Sequence, residues 1–364
     1  MDVFKRYTIW LVSLLIIEII VILSTCLYLQ PVIGDTTRLS GYSENDFGWN
    51  KPQKVFKELA NPLQDVYDHY VDVLVLGDSF SFGGVLGMMN FPWQTFLTAE
   101  SGLSVSTISH YTTKTNPPSY DPSLIPAIVK SETFQKTPPK VFVLEVVERQ
   151  LNILPEVNGD CKVTNKILNG RNVFVKPVQG MTPTIDAFRP KKRPSLKEQL
   201  DSAVKYWETL LLLNVDDNPG FVFDLTTANL FSNNKSQKLL VYEGDVKKKN
   251  WDDNLIASIR CKLINIQNIV QANGKTLFVV MIAPDKLTAY SPFLQDASVA
   301  KYTAIERMIP ERALHMPRFD LPIQSAINSG MVDVYLSNDT HWASKGQQIA
   351  AETLKKYLIE FSGD

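Results

Sequence analysis

Residues 71–83 read VDVLVLGDSFSFG, an apolar run followed by a turn that carries a serine. The run is short, continuous and rich in β-branched residues, which is typical of a strand buried on both faces of a parallel sheet. Four further segments are predicted as strands: LSVSTIS at 103–109, KVFVLEVV at 140–147, TLFVVMIA at 276–283 and, as the last strand, VDVYLS at 332–337.

Helical patterns alternate with these strands. Residues 252–274, DDNLIASIRCKLINIQNIVQANG, form one such pattern and end in Asn-Gly, as a helix C-terminus does. SKGQQIAAETLKKYLIEF at 344–361 is predicted as a closing amphipathic helix. Because strands and helices alternate, the fold class is predicted as α/β, with an open parallel sheet covered by helices on both faces.

The N-terminal segment YTIWLVSLLIIEIIVILSTCLYL, residues 7–29, is long and apolar enough to cross a bilayer as one helix. Lys5 and Arg6 precede it, and positive residues favour the cytoplasmic side. Residues 1–6 are therefore predicted as a cytoplasmic tail and 7–30 as a single-pass anchor in the inner (cytoplasmic) membrane. The rest of the chain is expected outside the cytoplasm, in the periplasm.

Two cleaved forms compete with this uncleaved anchor. A signal peptide has a shorter apolar core and an A-x-A-like cleavage site, which does not follow this segment. A lipoprotein site at Cys26 would need a smaller residue than Thr25 before the cysteine. The uncleaved anchor is therefore the favoured interpretation.

Glu18 lies in the middle of the predicted anchor, where a charge is costly. Protonation or a local water defect is one explanation. The other is a contact with a polar group on a partner membrane protein, which would give the residue a function.

The remaining chain divides by its patterning. Residues 31–60 are polar, contain Gly and Pro and have little periodicity, which predicts a stalk or a strap lying on the main domain. Residues 61–364 are predicted as that domain. Within it, the segment at about 154–251 breaks the alternation of strands and helices, and we interpret it as an insertion that forms a cap or a substrate platform.

Composition excludes several classes of protein. Lys plus Arg (37) nearly balances Asp plus Glu (38), so the basic excess of a nucleic-acid binder is absent. The three cysteines lack the spacing of a metal site, and neither a metal nor a cofactor is predicted. Cys161 and Cys261 would pair in an oxidising compartment, although Cys261 is also explained as a small buried residue of a helix.

The serine turn lies where chemistry is expected. Ligands of open α/β sheets bind beyond the carboxyl ends of the strands, and Gly77, Asp78 and Ser79 follow the first strand directly. Gly77 permits a tight turn, and the next helix would aim its N-terminal amides at an incoming carbonyl oxygen. Since Gly, Asp and Ser also form ordinary turns, this tripeptide needs a second element to indicate catalysis.

Residues 338–342, NDTHW, supply that element between the last predicted strand and the last helix. A serine hydroxyl becomes a good nucleophile when a neighbouring base takes its proton, and a histidine base works best when a carboxylate fixes its tautomer. Asp339 and His341 are one residue apart and can face the same serine. A lone histidine is more often structural, but the two elements together favour a catalytic triad with Ser79.

GDSF at 77–80 and DTHW at 339–342 resemble the catalytic blocks of the SGNH (GDSL-like) hydrolase superfamily. The chain looks most similar to the bacterial AlgX/AlgJ-like branch, which O-acetylates exopolysaccharides such as alginate. VLEVVER at 143–149, and APDK at 283–286 with Tyr290, resemble further family segments. The resemblance implies a flavodoxin-like three-layer sandwich with Ser79 as nucleophile, His341 as base and Asp339 as the orienting acid.

The oxyanion hole departs from the superfamily pattern. Typical members supply a Gly and an Asn from two further blocks, whereas HYTT at 110–113 and Glu148-Arg149 stand here. The Ser79 amide is the most secure donor, and Gly84, Thr113 and Arg149 are the candidate oxyanion or substrate-binding residues. A structural ion pair of Arg149 with Glu148 or Glu145 is an equal alternative, and His110 is interpreted as a surface-loop residue rather than part of the cleft.

Three functions remain open from the sequence. The resemblance favours an O-acetyltransferase that acts on a secreted or surface polysaccharide and receives acetyl from a membrane-bound O-acyltransferase partner. An extracytoplasmic carbohydrate or lipid esterase would use the same triad with water as the acceptor. A non-catalytic assembly subunit is the third possibility, and the intact Ser, His and Asp set disfavours it.

Overall fold

The computed structural model describes residues 3–30, 33–57, 63–64, 66–82, 92–108, 124–164, 178–179, 181–186, 195–211, 219–308 and 314–363. Its strands are β1 (Gln53–Val55), β2 (Leu63–Gln64), β3 (Val73–Leu76), β4 (Val105–Ile108), β5 (Val141–Val147), β6 (Thr184–Asp186), β7 (Gly220–Asp224), β8 (Lys238–Tyr242) and β9 (Leu277–Ala283).

The α-helices lie before, between and after these strands. They are α1 (Val3–Leu29), α2 (Asp35–Ser40), α3 (Glu44–Phe47), α4 (Ser79–Phe82), α5 (Trp93–Ser101), α6 (Ile125–Lys130), α7 (Glu132–Lys136), α8 (Leu196–Leu210), α9 (Glu243–Lys247), α10 (Asp253–Gln271), α11 (Lys286–Tyr290), α12 (Ile305–Met308), α13 (Asp320–Asn328) and α14 (Ser344–Gly363).

A parallel sheet forms the centre of the molecule, which confirms the predicted α/β class. Its four longer strands lie in the order β4-β3-β5-β9, and the two-residue β2 pairs with the outer edge of β4. Every residue of these four strands is buried. Burial on both faces explains why β3 and β9 read as continuous apolar runs rather than as alternating ones. Strand β5 does so apart from Glu145, whereas β4 buries Ser106 and Thr107 as well.

Helices cover both faces of the sheet. Val73 and Val75 share one core with Leu354 of α14, whereas Leu74 and Leu76 point into a second core with Leu263 of α10. Successive side chains of a strand point to opposite faces, so each apolar run supplies both cores. This packing fixes the carboxyl end of β3, where the serine turn begins.

The prediction of a last strand at 332–337 is wrong. Asp333 has a positive φ of 56°, and its carboxylate accepts a hydrogen bond from the Ser232 amide. Tyr335 then makes a single antiparallel bridge to Trp342 instead of joining the sheet. The segment therefore forms a tight loop, and that loop carries Asp339 and His341.

Helix α1 matches the predicted membrane segment in length and composition. It has 27 residues and a mean hydropathy of 2.6 over its most apolar window, which is long and apolar enough to span a membrane. Side chains from Val3 to Leu23 are exposed, as a helix surrounded by lipid requires. Contacts with the rest of the described chain lie near its C-terminal end, at Thr25 and Leu29, and Ile22 shares a groove with α8.

Residues 33–57 lie against the main domain as a strap rather than projecting from it as a stalk. Helix α2 packs on α8, and β1 pairs with β6 of the segment interpreted as an insertion. The Ser337 hydroxyl donates a hydrogen bond of 2.6 Å to the carbonyl of Phe47. The strap thus touches both the insertion and the loop that carries His341.

Cys161 and Cys261 form a disulfide that joins the segment after β5 to α10, so the structure favours pairing over the alternative of a merely buried thiol. Replacing both with serine is expected to lower the free energy of unfolding by about 2–5 kcal/mol, because the bridge closes a loop of 100 residues and so restricts the unfolded chain. Urea unfolding of the detergent-solubilised chain measures this change, with Cys26→Ser as the free-thiol control. An unchanged midpoint in the double variant would contradict the expectation.

Candidate active site

Ser79 is the first residue of α4, directly beyond the carboxyl end of β3. The preceding Gly77 is required by close packing, since a Cβ there would lie 2.3 Å from the Ser81 hydroxyl and 2.7 Å from a carboxylate oxygen of Glu145. Such distances exclude any larger residue without a shift of the turn. The local packing therefore holds the backbone of the serine turn close to β5.

Two buried carboxyl groups hold this turn in place. Asp78 accepts hydrogen bonds from the amides of Phe80 (2.9 Å) and Val147 (2.7 Å). Glu145 accepts from the Asp78 amide (3.0 Å) and the Ser81 hydroxyl (2.8 Å). Burial raises the pKa of both carboxyl groups. Neither residue was assigned this function from the sequence, although an acid inside an otherwise apolar strand was a visible signal.

Lys286 anchors the loop that carries Asp339 and His341. Its ammonium group donates hydrogen bonds to the carbonyls of Leu336, Ser337 and Asp339 at 2.8, 2.8 and 3.0 Å. The side chain is fully buried, and burial lowers its pKa to about 7. The APDK segment, noted in the sequence for its resemblance alone, therefore supports the geometry of this loop.

The structure brings Ser79, His341 and Asp339 together in one hydrogen-bonded chain. His341 Nε2 lies 2.7 Å from the Ser79 hydroxyl, and His341 Nδ1 lies 2.5 Å from Asp339 Oδ1. The imidazole is buried and packs against the Phe80 ring with 4.9 Å between centroids. Ser79 is only partly buried, so it is the member of the chain that a substrate can reach.

Asp35, the first residue of α2, places a second carboxylate beside the imidazole. Its Oδ2 lies 3.8 Å from His341 Nδ1, and its backbone N–H donates to Asp339 Oδ2 at 3.0 Å. Arg38 forms an ion pair with the Asp35 carboxylate at 3.0 Å. No local pattern predicts this contact, because 304 residues separate Asp35 from Asp339.

Glu44 and Asn338 fasten the strap to the loop. Glu44 Oε1 accepts from the amides of Ile33 (3.0 Å) and Gly34 (2.8 Å), while Asn338 donates to Glu44 Oε2 at 2.6 Å. A Cβ on Gly34 would lie 2.2 Å from the Asn338 carbonyl oxygen, so the two backbones are in direct contact. Asp35 is therefore held beside the imidazole by its own segment.

The charges around His341 favour its protonated form. Burial alone would lower the pKa of His341, but attraction by Asp339 and, more weakly, by Asp35 outweighs burial and raises it. Burial opposes ionisation of Asp339, yet the adjacent imidazolium and its hydrogen bonds hold the pKa of Asp339 well below its usual range. Burial and repulsion by Asp339 raise the pKa of Asp35.

This arrangement fits general-base activation of a serine. A carboxylate that accepts the Nδ1 proton leaves the Nε2 lone pair directed at the serine hydroxyl. Ser79 is the first residue of α4, so its backbone N–H is a candidate donor to an oxyanion. Asp35, Asp339 and His341 also place three potential metal-ligand atoms within 4.8 Å of one another, but the short contact between Asp339 and Nδ1 commits two of them to a shared proton.

The structure places Arg149 in a cluster of buried charges. Its guanidinium pairs with Asp285 at 2.6 Å and Asp245 at 3.4 Å and lies over the Tyr242 ring. An ion pair was one of the two alternatives from the sequence, although its partners are neither Glu148 nor Glu145. Gly84, Thr113 and His110 lie outside the described residues.

Comparison with known proteins adds no family to these observations. No family model matches the chain, no curated protein matches it, and no solved structure matches it. Its function is therefore inferred from the geometry around Ser79.

Proposed function

We propose that the chain is a membrane-anchored serine O-acetyltransferase of the SGNH type that acetylates a secreted or cell-surface polysaccharide. The observation that carries the proposal is the hydrogen-bonded chain from Ser79 through His341 to Asp339. The order β4-β3-β5-β9 corresponds to 2-1-3-4 in chain order, the order found in flavodoxin-like sheets. This order supports the SGNH-type three-layer fold within the same proposal.

The proposed reaction has two steps. The Ser79 oxygen attacks the carbonyl carbon of an acetyl ester while His341 Nε2 takes the hydroxyl proton, and that proton then passes to the departing oxygen. In the second step a sugar hydroxyl attacks acetyl-Ser79 and gives its proton to Nε2. The Ser79 oxygen leaves and regains a proton from the imidazole, so the enzyme is restored.

Three features support the proposed membrane arrangement. Lys5 and Arg6 favour a cytoplasmic N-terminus, which puts the triad outside the cytoplasm. The Cys161–Cys261 disulfide supports the same side, because disulfides persist in oxidising compartments. A membrane-bound O-acyltransferase is the proposed partner that delivers the acetyl group, and Glu18 on the exposed surface of α1 offers it a polar contact.

An extracytoplasmic carbohydrate or lipid esterase is the second candidate, because the same triad would release acetyl to water. Product analysis separates the two. The detergent-solubilised full chain is incubated with an artificial acetyl ester, with and without candidate oligosaccharides, and products are analysed by mass spectrometry. Acetylated sugar formed by the wild type and not by Ser79→Ala supports the transferase, whereas acetate alone with every acceptor would favour the esterase.

The charge of Asp35 is expected to appear in the pH dependence of turnover. Neutral imidazole is the active base, so the rate should rise with pH through a midpoint above 6.5, the ordinary pKa of histidine. Asp35→Asn removes one of the negative charges that raise this pKa, so its midpoint should move to lower pH. Asp46→Asn, in the same strap and paired with Lys235 instead, is the control. An unmoved midpoint in Asp35→Asn would contradict this account.

A further inference from the structure

Helix α8 carries an apolar stripe along one face. Leu196, Leu200 and Val204 are spaced four residues apart, and Trp207 and Leu211 continue the same line. Leu196, Val204 and Leu211 are 71%, 57% and 57% exposed. A stripe at this spacing normally faces a core, but here it faces away from the main domain.

The opposite face of α8 holds the strap. Lys205 donates to the carbonyl of Leu39 at 3.0 Å, and Thr209 donates to the carbonyl of Ser40. A Cβ on Gly41, whose φ is +70°, would lie 2.5 Å from the Tyr206 amide nitrogen. The backbones of α8 and the strap are therefore in direct contact, and the strap continues to Asp35 beside His341.

One edge of the stripe, with the adjoining flank of α8, packs on the C-terminal end of α1. Trp207 Nε1 donates to the Thr25 hydroxyl at 3.0 Å, and Tyr206 stacks at a tilt on Tyr28 with 5.7 Å between centroids. Leu29 is buried against Ala203. Helices α1 and α8 therefore cross at the last two turns of α1.

An apolar groove joins the stripe to the lipid-facing surface of α1. It has a volume of about 250 Å³ and is lined by Ile22, Leu200, Ala203, Val204, Trp207 and Glu208. Ile22 precedes Thr25 in α1, so Leu200 and Val204 lie on the membrane side of the crossing. The exposed apolar surfaces of the two helices are therefore continuous.

We infer that α8 lies in the membrane–water interface on the extracytoplasmic side of the membrane that α1 crosses. Its apolar stripe would be inserted among the lipid acyl chains. Continuity with α1 identifies lipid as the occupant, because the groove opens beside a helix surface that is itself suited to hydrocarbon. Trp207, bonded to Thr25 and at the edge of the stripe, has the position that tryptophan favours at membrane interfaces. The inference requires α1 to cross the bilayer and does not depend on the reaction at Ser79.

Charge on α8 indicates that this binding is apolar rather than electrostatic. Two lysines, Lys197 and Lys205, stand against three acids, Glu198, Asp201 and Glu208, which leaves a net charge of −1 on the helix. Basic interfacial helices gain from anionic lipids, and this one should not. Insertion is therefore expected in bilayers of purely zwitterionic lipid.

Docking of α8 would also hold the active site at the membrane surface. The strap joins α8 to the loop through Asp35, whose amide contacts Asp339. The catalytic domain would thus be fixed to the membrane at two points, α1 and α8, instead of hanging from α1 alone.

Spin-label depth measurements test the inference on the full chain in phosphatidylcholine nanodiscs. Cys26→Ser removes the free thiol, and single nitroxide labels are attached through Leu200→Cys and Val204→Cys, with Asp201→Cys as the neighbouring polar control. Leu14→Cys in α1 provides the signal of a label within the bilayer. Labels at 200 and 204 should collide more with dissolved oxygen than with a water-soluble nickel complex, and the label at 201 should show the reverse.

Two further outcomes decide the occupant. The oxygen preference at 200 and 204 should persist in high salt and should not increase when anionic lipid is added. If the labels at 200 and 204 were as accessible to nickel as the label at 201, the stripe would not be in lipid. That result would overturn the inference. A protein partner absent from the nanodisc would then be the remaining candidate to cover the stripe.

Discussion

Ser79→Ala is expected to abolish acetyl-ester turnover while leaving the fold intact. Among the described residues, the hydrogen-bond partner of the Ser79 hydroxyl is the imidazole, so replacement by alanine removes the nucleophile with little effect on packing. In serine proteases the loss of the nucleophile costs about 10⁶-fold in kcat. The rate of hydrolysis of an artificial acetyl ester measures the effect, and thermal unfolding measures the fold.

Ser325→Ala is the matched control, since Ser325 is a serine on the exposed surface of α13. This variant should retain the wild-type rate and the wild-type unfolding temperature. If Ser79→Ala also retained a rate near the wild-type value, Ser79 would not be the nucleophile and the proposed chemistry would be wrong.

Asp339→Asn should produce the second-largest loss of activity. Asparagine would donate a proton to His341 Nδ1 instead of accepting one, so the imidazole would present its N–H to Ser79 and could not act as a base. This exchange costs about 10⁴-fold in a well-studied Ser-His-Asp protease. We expect a loss that is smaller but still large, because Asp35 lies 3.8 Å from His341 Nδ1. Its carboxylate can therefore stabilise the protonated imidazole in part.

The double variant Asp35→Asn/Asp339→Asn separates these two carboxylates. If Asp35 partly replaces Asp339, the loss caused by Asp339→Asn should be greater in the Asp35→Asn background than in the wild type, which a double-mutant cycle of kcat/KM would detect. If Asp339→Asn alone retained most of its activity, Asp339 would serve only as a hydrogen-bond acceptor for the amides of Asp35 and His341.

The sheet and the proximity of Ser79, His341 and Asp339 could be predicted because their signals are local. Strands β3, β5 and β9 each fall within a mainly apolar run of the sequence, as burial on both faces of a sheet requires. Helix α10 lies within the predicted segment, with Asp252 capping its start at the Leu255 amide. Ser79, Asp339 and His341 were recognisable because each stands in a short motif.

The failures come from contacts between distant parts of the chain. VDVYLS has the composition of a strand, yet the left-handed conformation of Asp333 and its bond to Ser232 turn the segment away from the sheet. The contact of Asp35 with the triad also depends on tertiary packing. Arg149 illustrates the same limit, since its partners Asp245 and Asp285 are 96 and 136 residues away.

Detection of acetyl-Ser79 tests the central claim most directly. The full chain is mixed with an acetyl ester, quenched in acid and digested, and the peptide that contains Ser79 is examined by tandem mass spectrometry. We expect acetyl on the Ser79 hydroxyl in the wild type and none in Ser79→Ala. The amount of acetyl-Ser79 should be greater in Asp339→Asn than in the wild type when this variant slows removal of the acetyl group more than its formation. Turnover by the wild type with acetyl found on another residue, or on none while Ser79→Ala remains active, would contradict the central claim.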